Sequence, residues 1–118
     1  MSIQIKRIYE KQNSKDGKRL LVDRIWPRGI SKQDANLDEW LKEVAPSPDL
    51  RKWFNHDPER YEQFKKKYKK ELDNDEDKSK AIETIQKLEN DGKVTLLYAA
   101  KDVEHNHANV LKEYLESK

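Results

Sequence analysis

Val94-Thr95-Leu96-Leu97-Tyr98-Ala99-Ala100-Lys101-Asp102-Val103-Glu104-His105-Asn106-His107 decides the architecture of this chain. Its first part, Val94 to Ala99, is almost continuously apolar, as a strand is when both faces of its sheet are covered, so it reads as a central strand. A polar cluster follows at once. The same construction occurs earlier, in Leu20-Leu21-Val22-Asp23-Arg24-Ile25-Trp26-Pro27-Arg28-Gly29, where an apolar strand near Arg19 to Arg24 is ended by Pro27 and Gly29. Far more than the dozen residues of a parallel crossover separate the two strands, which predicts that they run parallel. Ile3, Ile5 and Ile8 alternate with polar residues and predict a first strand exposed on one face. The expected fold is a small three-layer α/β sandwich with a mainly parallel, Rossmann-like sheet, in a single domain spanning 1–118.

Helical signals fill the interval between the strands. Ser31 can cap a helix in which Leu37, Trp40, Leu41 and Val44 form one apolar stripe, stopped by Pro46. Ser47-Pro48 places a capping residue before a proline at the first helical position, opening a short helix with Leu50, Trp53 and Phe54. Asp57-Pro58 repeats that signal, and His56 beside it reads as a local cap contact. Tyr61, Phe64, Tyr68 and Leu72 mark one face of a longer helix. Ala81, Ile82, Ile85 and Leu88 mark the next, from Asp77 to Asn90, ended at Asp91-Gly92. The last helix carries Val110, Leu111, Tyr114 and Leu115.

Composition narrows the chemistry. The chain has 118 residues, 34 % of them apolar and 41 % charged, which suffices for one modest core under an ionic surface. It has no cysteine, excluding disulfides, thiolate zinc sites and cysteine nucleophiles. No apolar stretch approaches membrane-spanning length, and the amino end alternates like a strand rather than a signal peptide, so a soluble cytoplasmic protein is expected. With 25 basic and 23 acidic residues the charge is too balanced to argue nucleic-acid binding by itself. The run Lys65, Lys66, Lys67, Lys69 and Lys70 reads as the solvated face of a helix.

Both polar clusters fall just beyond the carboxyl ends of strands, where open α/β sheets bind ligands. Parallel pairing brings Asp23, Arg24 and Arg28 near Lys101, Asp102 and Glu104. Arg24 then either pairs with Asp23 or Asp102, or holds a ligand's phosphate or carboxylate. With Asp102 as the cap of the last helix, Val103, His107, Val110, Leu111 and Tyr114 share its inward face, and His105 points away from His107. That separation argues against a shared metal. Only a later helix start would let His105, His107, Asp102 and Glu104 act together as ligands. Trp26 reads as a plug for the core. No glycine-rich phosphate loop or nucleophile elbow is present.

The segments Ile5-Lys6-Arg7-Ile8-Tyr9, Leu21 to Gly29, Leu37 to Glu43, Leu50 to Phe54 and Leu97 to His107 resemble the YeaO-like branch of the domain-of-unknown-function 488 family. The resemblance covers nearly the whole chain, and its Trp-Pro-Arg-Gly and Glu-His-Asn-His pieces are specific. It implies a compact bacterial α/β protein and no settled activity. Longer relatives carry cysteines, an extra carboxylate and an arginine near the second cluster, where this chain has Tyr98, Ala100, Asn106 and Ala108. The resemblance thus leaves Arg24, Pro27, Asp102 and His107 as shared elements and excludes thiol chemistry here.

The expected partner is a phosphate-bearing small molecule, such as a nucleotide, or a nucleic-acid end. Arg24, Arg28, Lys101 and Asn106 are the expected ligand-binding residues. Any catalysis falls to His107 as acid or base and Asp102 as its orienting carboxylate. No cofactor or resident metal is assigned, and hydrolase or transferase chemistry remains open. The alternatives are a non-enzymatic protein- or nucleic-acid-interaction module and a metal-dependent hydrolase.

Overall fold

The computed structural model describes residues 3–118. Four parallel strands form one sheet: β1 (Ile3–Arg7), β2 (Lys18–Leu21), β3 (Glu39–Trp40) and β4 (Val94–Tyr98), in the spatial order β1-β4-β2-β3. β4 is central, as its unbroken apolar run predicts, and all five of its residues are buried. Its register sets Ile3 opposite Val94 on one side and Lys18 opposite Val94 on the other. Met1 and Ser2, which the amino-terminal reading included, lie outside the described residues.

Strand alternation sorts the apolar side chains into two unequal cores. Ile3, Leu20, Val22, Val94, Leu96 and Tyr98 face a helical layer made of α2 (Pro48–Phe54), α3 (Tyr61–Asn74), α4 (Glu76–Asp91) and α5 (His107–Glu116). Leu21 and Leu97 face the other way, toward Ile8, Ala35, Trp26, Ile30 and Leu37 on the thinner cover that contains α1 (Lys32–Ala35). The layers are therefore helices, sheet and a mostly irregular lid. Each main helix presents the stripe its spacing predicts: Tyr61, Phe64, Tyr68 and Leu72 in α3, and Ala81, Ile82 and Ile85 in α4, are buried.

Caps explain where the helices start. Ser47 Oγ accepts from the Leu50 N–H with Pro48 in the first turn, and Asp75 accepts from the N–H groups of Asp77 and Lys78. The expected helix through Leu37, Trp40, Leu41 and Val44 is not formed. Ser31 does cap α1, but Asn36 adopts a left-handed conformation at φ 46° and ends it after one turn. The backbone then pairs with β2: Asp38 N–H donates to Arg19 O and Leu41 N–H to Leu21 O, both at 2.8 Å. The helical spacing was a coincidence of two destinations, since Leu37 serves the thin core while Leu41 and Val44 serve the thick one.

The thin side of the sheet also buries charge. Asp16, 2 % exposed, accepts from Arg19 Nη1 at 2.6 Å, from Lys6 Nζ at 3.0 Å and from the Asn13 N–H at 3.1 Å. Burial opposes ionisation of this carboxyl, but the Asn13 N–H and the two cations outweigh it and hold its pKa below the ordinary carboxylate value. Gly17 is required beside it. Its φ is +67°, and an added Cβ would lie 2.2 Å from Lys93 O.

Candidate functional site at the carboxyl edge of the sheet

The two polar stretches meet where the sequence predicts. Beyond β2 the chain continues alongside β4, with Val22 N–H donating to Leu97 O at 3.0 Å. Asp23 Oδ2 then accepts from the Ala99 N–H at 3.0 Å, tying the ends of the two strands together.

The last helix starts later than expected, so the assignment of Asp102 as its cap is corrected. Asn106 is the N-cap, its side chain accepting from the Asn109 N–H, and α5 begins at His107. Val103, expected on the inward face, is 56 % exposed. Asp102 instead closes a tight turn, with Oδ1 accepting from the N–H groups of Glu104 and His105 at 2.9 Å. Local side-chain-to-backbone bonding of this kind competes with helix, and here it delays the helix by four residues. The His105 and Glu104 N–H groups hold the Asp102 carboxyl below the usual carboxylate range.

His107 still turns inward. Its Nε2 lies 3.0 Å from Val22 O and 3.2 Å from Asp23 Oδ1, both acceptors, so Nε2 carries the proton and donates. The ring packs edge-on against Tyr68, with centroids 6.2 Å apart. His105 forms a separate, more exposed unit. Its Nδ1 is 2.9 Å from Asp102 Oδ2, and its ring meets Tyr61 edge-on at 5.1 Å. Tyr61 and Tyr68 are two turns apart on α3, so the two imidazole–carboxylate pairs are lodged separately along that helix. Among the described residues no three His, Asp or Glu side chains come close enough to hold a metal ion.

Arg24 lies beside the inner pair. Its Nη2 makes a long contact of 3.4 Å with Ala45 O, and its buried Nε has no hydrogen-bond partner among the described residues. Asp23 Oδ1 is likewise buried and, despite its approach to His107, accepts no well-aligned hydrogen bond. The possibility that Arg24 pairs with Asp23 or Asp102 is not realised: Asp23 serves the Ala99 N–H and His107, and Asp102 serves its own turn and His105. Tyr68 forms the floor. Its hydroxyl donates to Val44 O, and burial, with Glu71 and Asp23 nearby, raises its pKa well above the ordinary value.

The remaining expected residues are spread around this corner. Arg28 and Lys101 are exposed, and among the described residues neither side chain has a carboxylate partner. Asn106 is 2 % exposed and holds the loop together: besides its capping oxygen, its Nδ2 donates to Asp102 O at 2.9 Å, and its carbonyl accepts from Tyr61 Oη at 3.0 Å. Burial, with Glu113 and Glu62 nearby, pushes the Tyr61 hydroxyl up to about 12. Trp26 is half-buried against the thin core, with its indole N–H on Ile30 O at 2.7 Å and its ring edge-on to Trp40. Surface recesses lie around Gly17, Leu88 and Lys93 and beside Trp26 and Trp40. Sequence reasoning did not single out Tyr68 for the site; its spacing of seven from Tyr61 placed it on the core face, and only Val44 and His107 give it a further role.

Sheet and site together define a small all-parallel α/β protein with an arginine and two imidazole–carboxylate pairs at its carboxyl edge. The chain belongs to the family described as the inactive DUF488-N3 subclade, whose pattern matches residues 2–118. It is 46 % identical over 117 residues to the uncharacterised protein YeaO of Escherichia coli, covering 99 % of each chain. It is 40 % identical over 116 residues to the uncharacterised protein Rv3073c of Mycobacterium tuberculosis, covering 98 % of this chain and 95 % of that one. No solved structure matches significantly.

Proposed function

We propose that the chain, acting as one domain in the cytoplasm, binds a phosphate-bearing ligand, a nucleotide or a nucleic-acid end, at the carboxyl edge of its sheet. One observation carries this reading: Arg24 is a half-buried cation that forms no ion pair among the described residues, and its Nε, like the neighbouring Asp23 Oδ1, has no hydrogen-bond partner among them. Buried donors are normally satisfied, and an unpaired one at a strand end supports a site whose polar partner, an ordered water or a bound anion, comes from solution. Arg24 is the anchor, with Arg28 and Lys101 as exposed cations flanking the approach. Asp23 and His107 fix the strand ends that carry it.

Binding without turnover is the favoured form. His107 Nε2 points its proton at a backbone carbonyl and a carboxylate, the posture of a brace rather than of a free base. The family description, an inactive subclade, supports the same preference. A metal-dependent hydrolase gains no support, since His105 and His107 sit in separate pairs. No described helix is long and apolar enough to cross a membrane.

A thermal-shift panel of pyrophosphate, nucleoside mono-, di- and triphosphates and 5′-phosphorylated oligonucleotides tests the reading, using wild type and Arg24→Met. At least one compound stabilises wild type, and Arg24→Met loses that response while its ligand-free melting temperature stays equal or rises. A panel that shifts neither protein, or both alike, removes Arg24 as an anion anchor.

A further inference from the structure

His105 is held in the opposite way to His107. Asp102 Oδ1 accepts from the N–H groups of Glu104 and His105, both at 2.9 Å, which fixes the carboxylate and sets Oδ2 2.9 Å from His105 Nδ1. An ionised carboxylate can only accept, so in the neutral ring Nδ1 carries the proton and Nε2 keeps its lone pair. The Tyr61 ring flanks the imidazole edge-on at 5.1 Å. Among the described residues Nε2 has no hydrogen-bond partner, yet it is not one of the buried orphans, which are Asp23 Oδ1 and Arg24 Nε. It therefore opens to solvent, on a side chain that is 34 % exposed.

The other two histidines lack this combination. The His107 side chain is 15 % exposed and its Nε2 is committed to Val22 O and Asp23. His56 is exposed, but among the described residues no carboxylate stands beside its ring. A carboxylate that fixes the Nδ1–H tautomer and leaves Nε2 free presents an imidazole as a base or a nucleophile. Among the described residues no hydroxyl is bonded to Nε2, and the chain has no cysteine, so the reacting atom is Nε2 itself. We infer that His105 Nε2 is a covalent acceptor for a phosphoryl group delivered by a small activated donor, a phosphoramidate or an acyl phosphate. The Nε2 lone pair forms the N–P bond as the donor's P–N or P–O bond breaks, and the leaving ammonia or carboxylate departs with the bonding pair. The ring keeps its Nδ1 proton, and the positive charge it gains faces the Asp102 carboxylate. The choice of a phosphoryl group rests on the phosphate-ligand reading above, whereas the free Nε2 does not.

Incubation of the whole chain with phosphoramidate, which donates only a phosphoryl group, followed by peptide mass mapping at alkaline pH, measures uptake at each histidine. His105 takes up the group roughly tenfold or more faster than His56 and His107. Asp102 is a positioning residue, and Asp102→Asn tests it. The amide oxygen stays on the N–H groups of Glu104 and His105, so its NH2 faces Nδ1, donates to it and moves the ring proton to Nε2. The wrong tautomer costs as much as roughly 10⁴ in a full triad, and here it slows His105 at least about tenfold. Ring-nitrogen NMR shifts read the tautomer itself, Nδ1–H in wild type and Nε2–H in the variant, which a merely loosened loop would not produce. Equal uptake at the three histidines, or an Asp102→Asn protein modified as fast as wild type, overturns the inference. A thermal-shift panel that fails while His105 is modified removes the Arg24 reading alone. An unmodified His105 beside an intact panel response removes this one alone.

Discussion

Replacing Asp16 with asparagine isolates the buried ion cluster beneath the thin side of the sheet. Asp16→Asn keeps the side chain's shape but strips the countercharge from Arg19, 3 % exposed, and from Lys6. Arg19 retains its bonds to Ala35 O at 3.1 and 2.9 Å, so its position is kept while its charge is left unbalanced. Removing one partner of a buried pair costs about 3–5 kcal/mol. That is a large share of the roughly 5–15 kcal/mol typical of a domain. At a urea dependence of about 1–3 kcal/mol per molar the unfolding midpoint should fall by roughly 2 M. Circular dichroism during urea titration measures this directly, and a loss under about 1 kcal/mol would refute the assignment of Asp16 as a charge anchor. Acid titration gives an independent reading. The folded-state pKa of Asp16 lies below its unfolded value, so its stabilisation is complete above about pH 4 and disappears as pH falls through the folded value. The stability of wild type should therefore drop more steeply below pH 4 than that of Asp16→Asn, and parallel curves would contradict the lowered pKa.

Two further substitutions probe the sheet at its two ends, Gly17 at the amino ends of β2 and β4 and Asn106 at the site. Gly17→Ala combines a φ of +67° with a Cβ 2.2 Å from Lys93 O, and should cost more than about 2 kcal/mol in chemical denaturation because the obstacle is backbone. Asn106→Ala removes the α5 cap and the bond to Asp102 O, and should cost about 2 kcal/mol while speeding amide exchange at His105 and Asn109. Unchanged exchange there would mean that the loop is held by other contacts.

The parts of the fold legible in the sequence are those where one local cause dominates. The apolar runs at Leu20 and Val94 have only one place to go in a small α/β chain, and Ser47-Pro48 can hardly do anything but open a helix. β3 was not legible, because Leu37, Trp40, Leu41 and Val44 repeat at helical spacing and the decisive event is the left-handed turn at Asn36. Asp102 was misread for a related reason: aspartate before a helix caps it or makes a turn of its own, and the tie between Tyr61 and the Asn106 carbonyl favours the later start. The meeting of the Asp23 and His107 segments followed from parallel pairing. The unpaired state of Arg24 could not, since it depends on where Asp23 and Asp102 direct their oxygens.

β1 and β2, the first two strands of the chain, never touch as strands; β4 lies between them and hydrogen-bonds to both. For most of the time a ribosome needs to make this protein, the sheet therefore lacks its middle, and Leu20, Leu21 and Val22 have no neighbour from β4 to cover them. Assembly of the sheet must wait for Val94 to Tyr98, and the His107 to Val22 contact joins residues 85 apart. Such a chain should fold slowly for its size, because its central pairings are long-range.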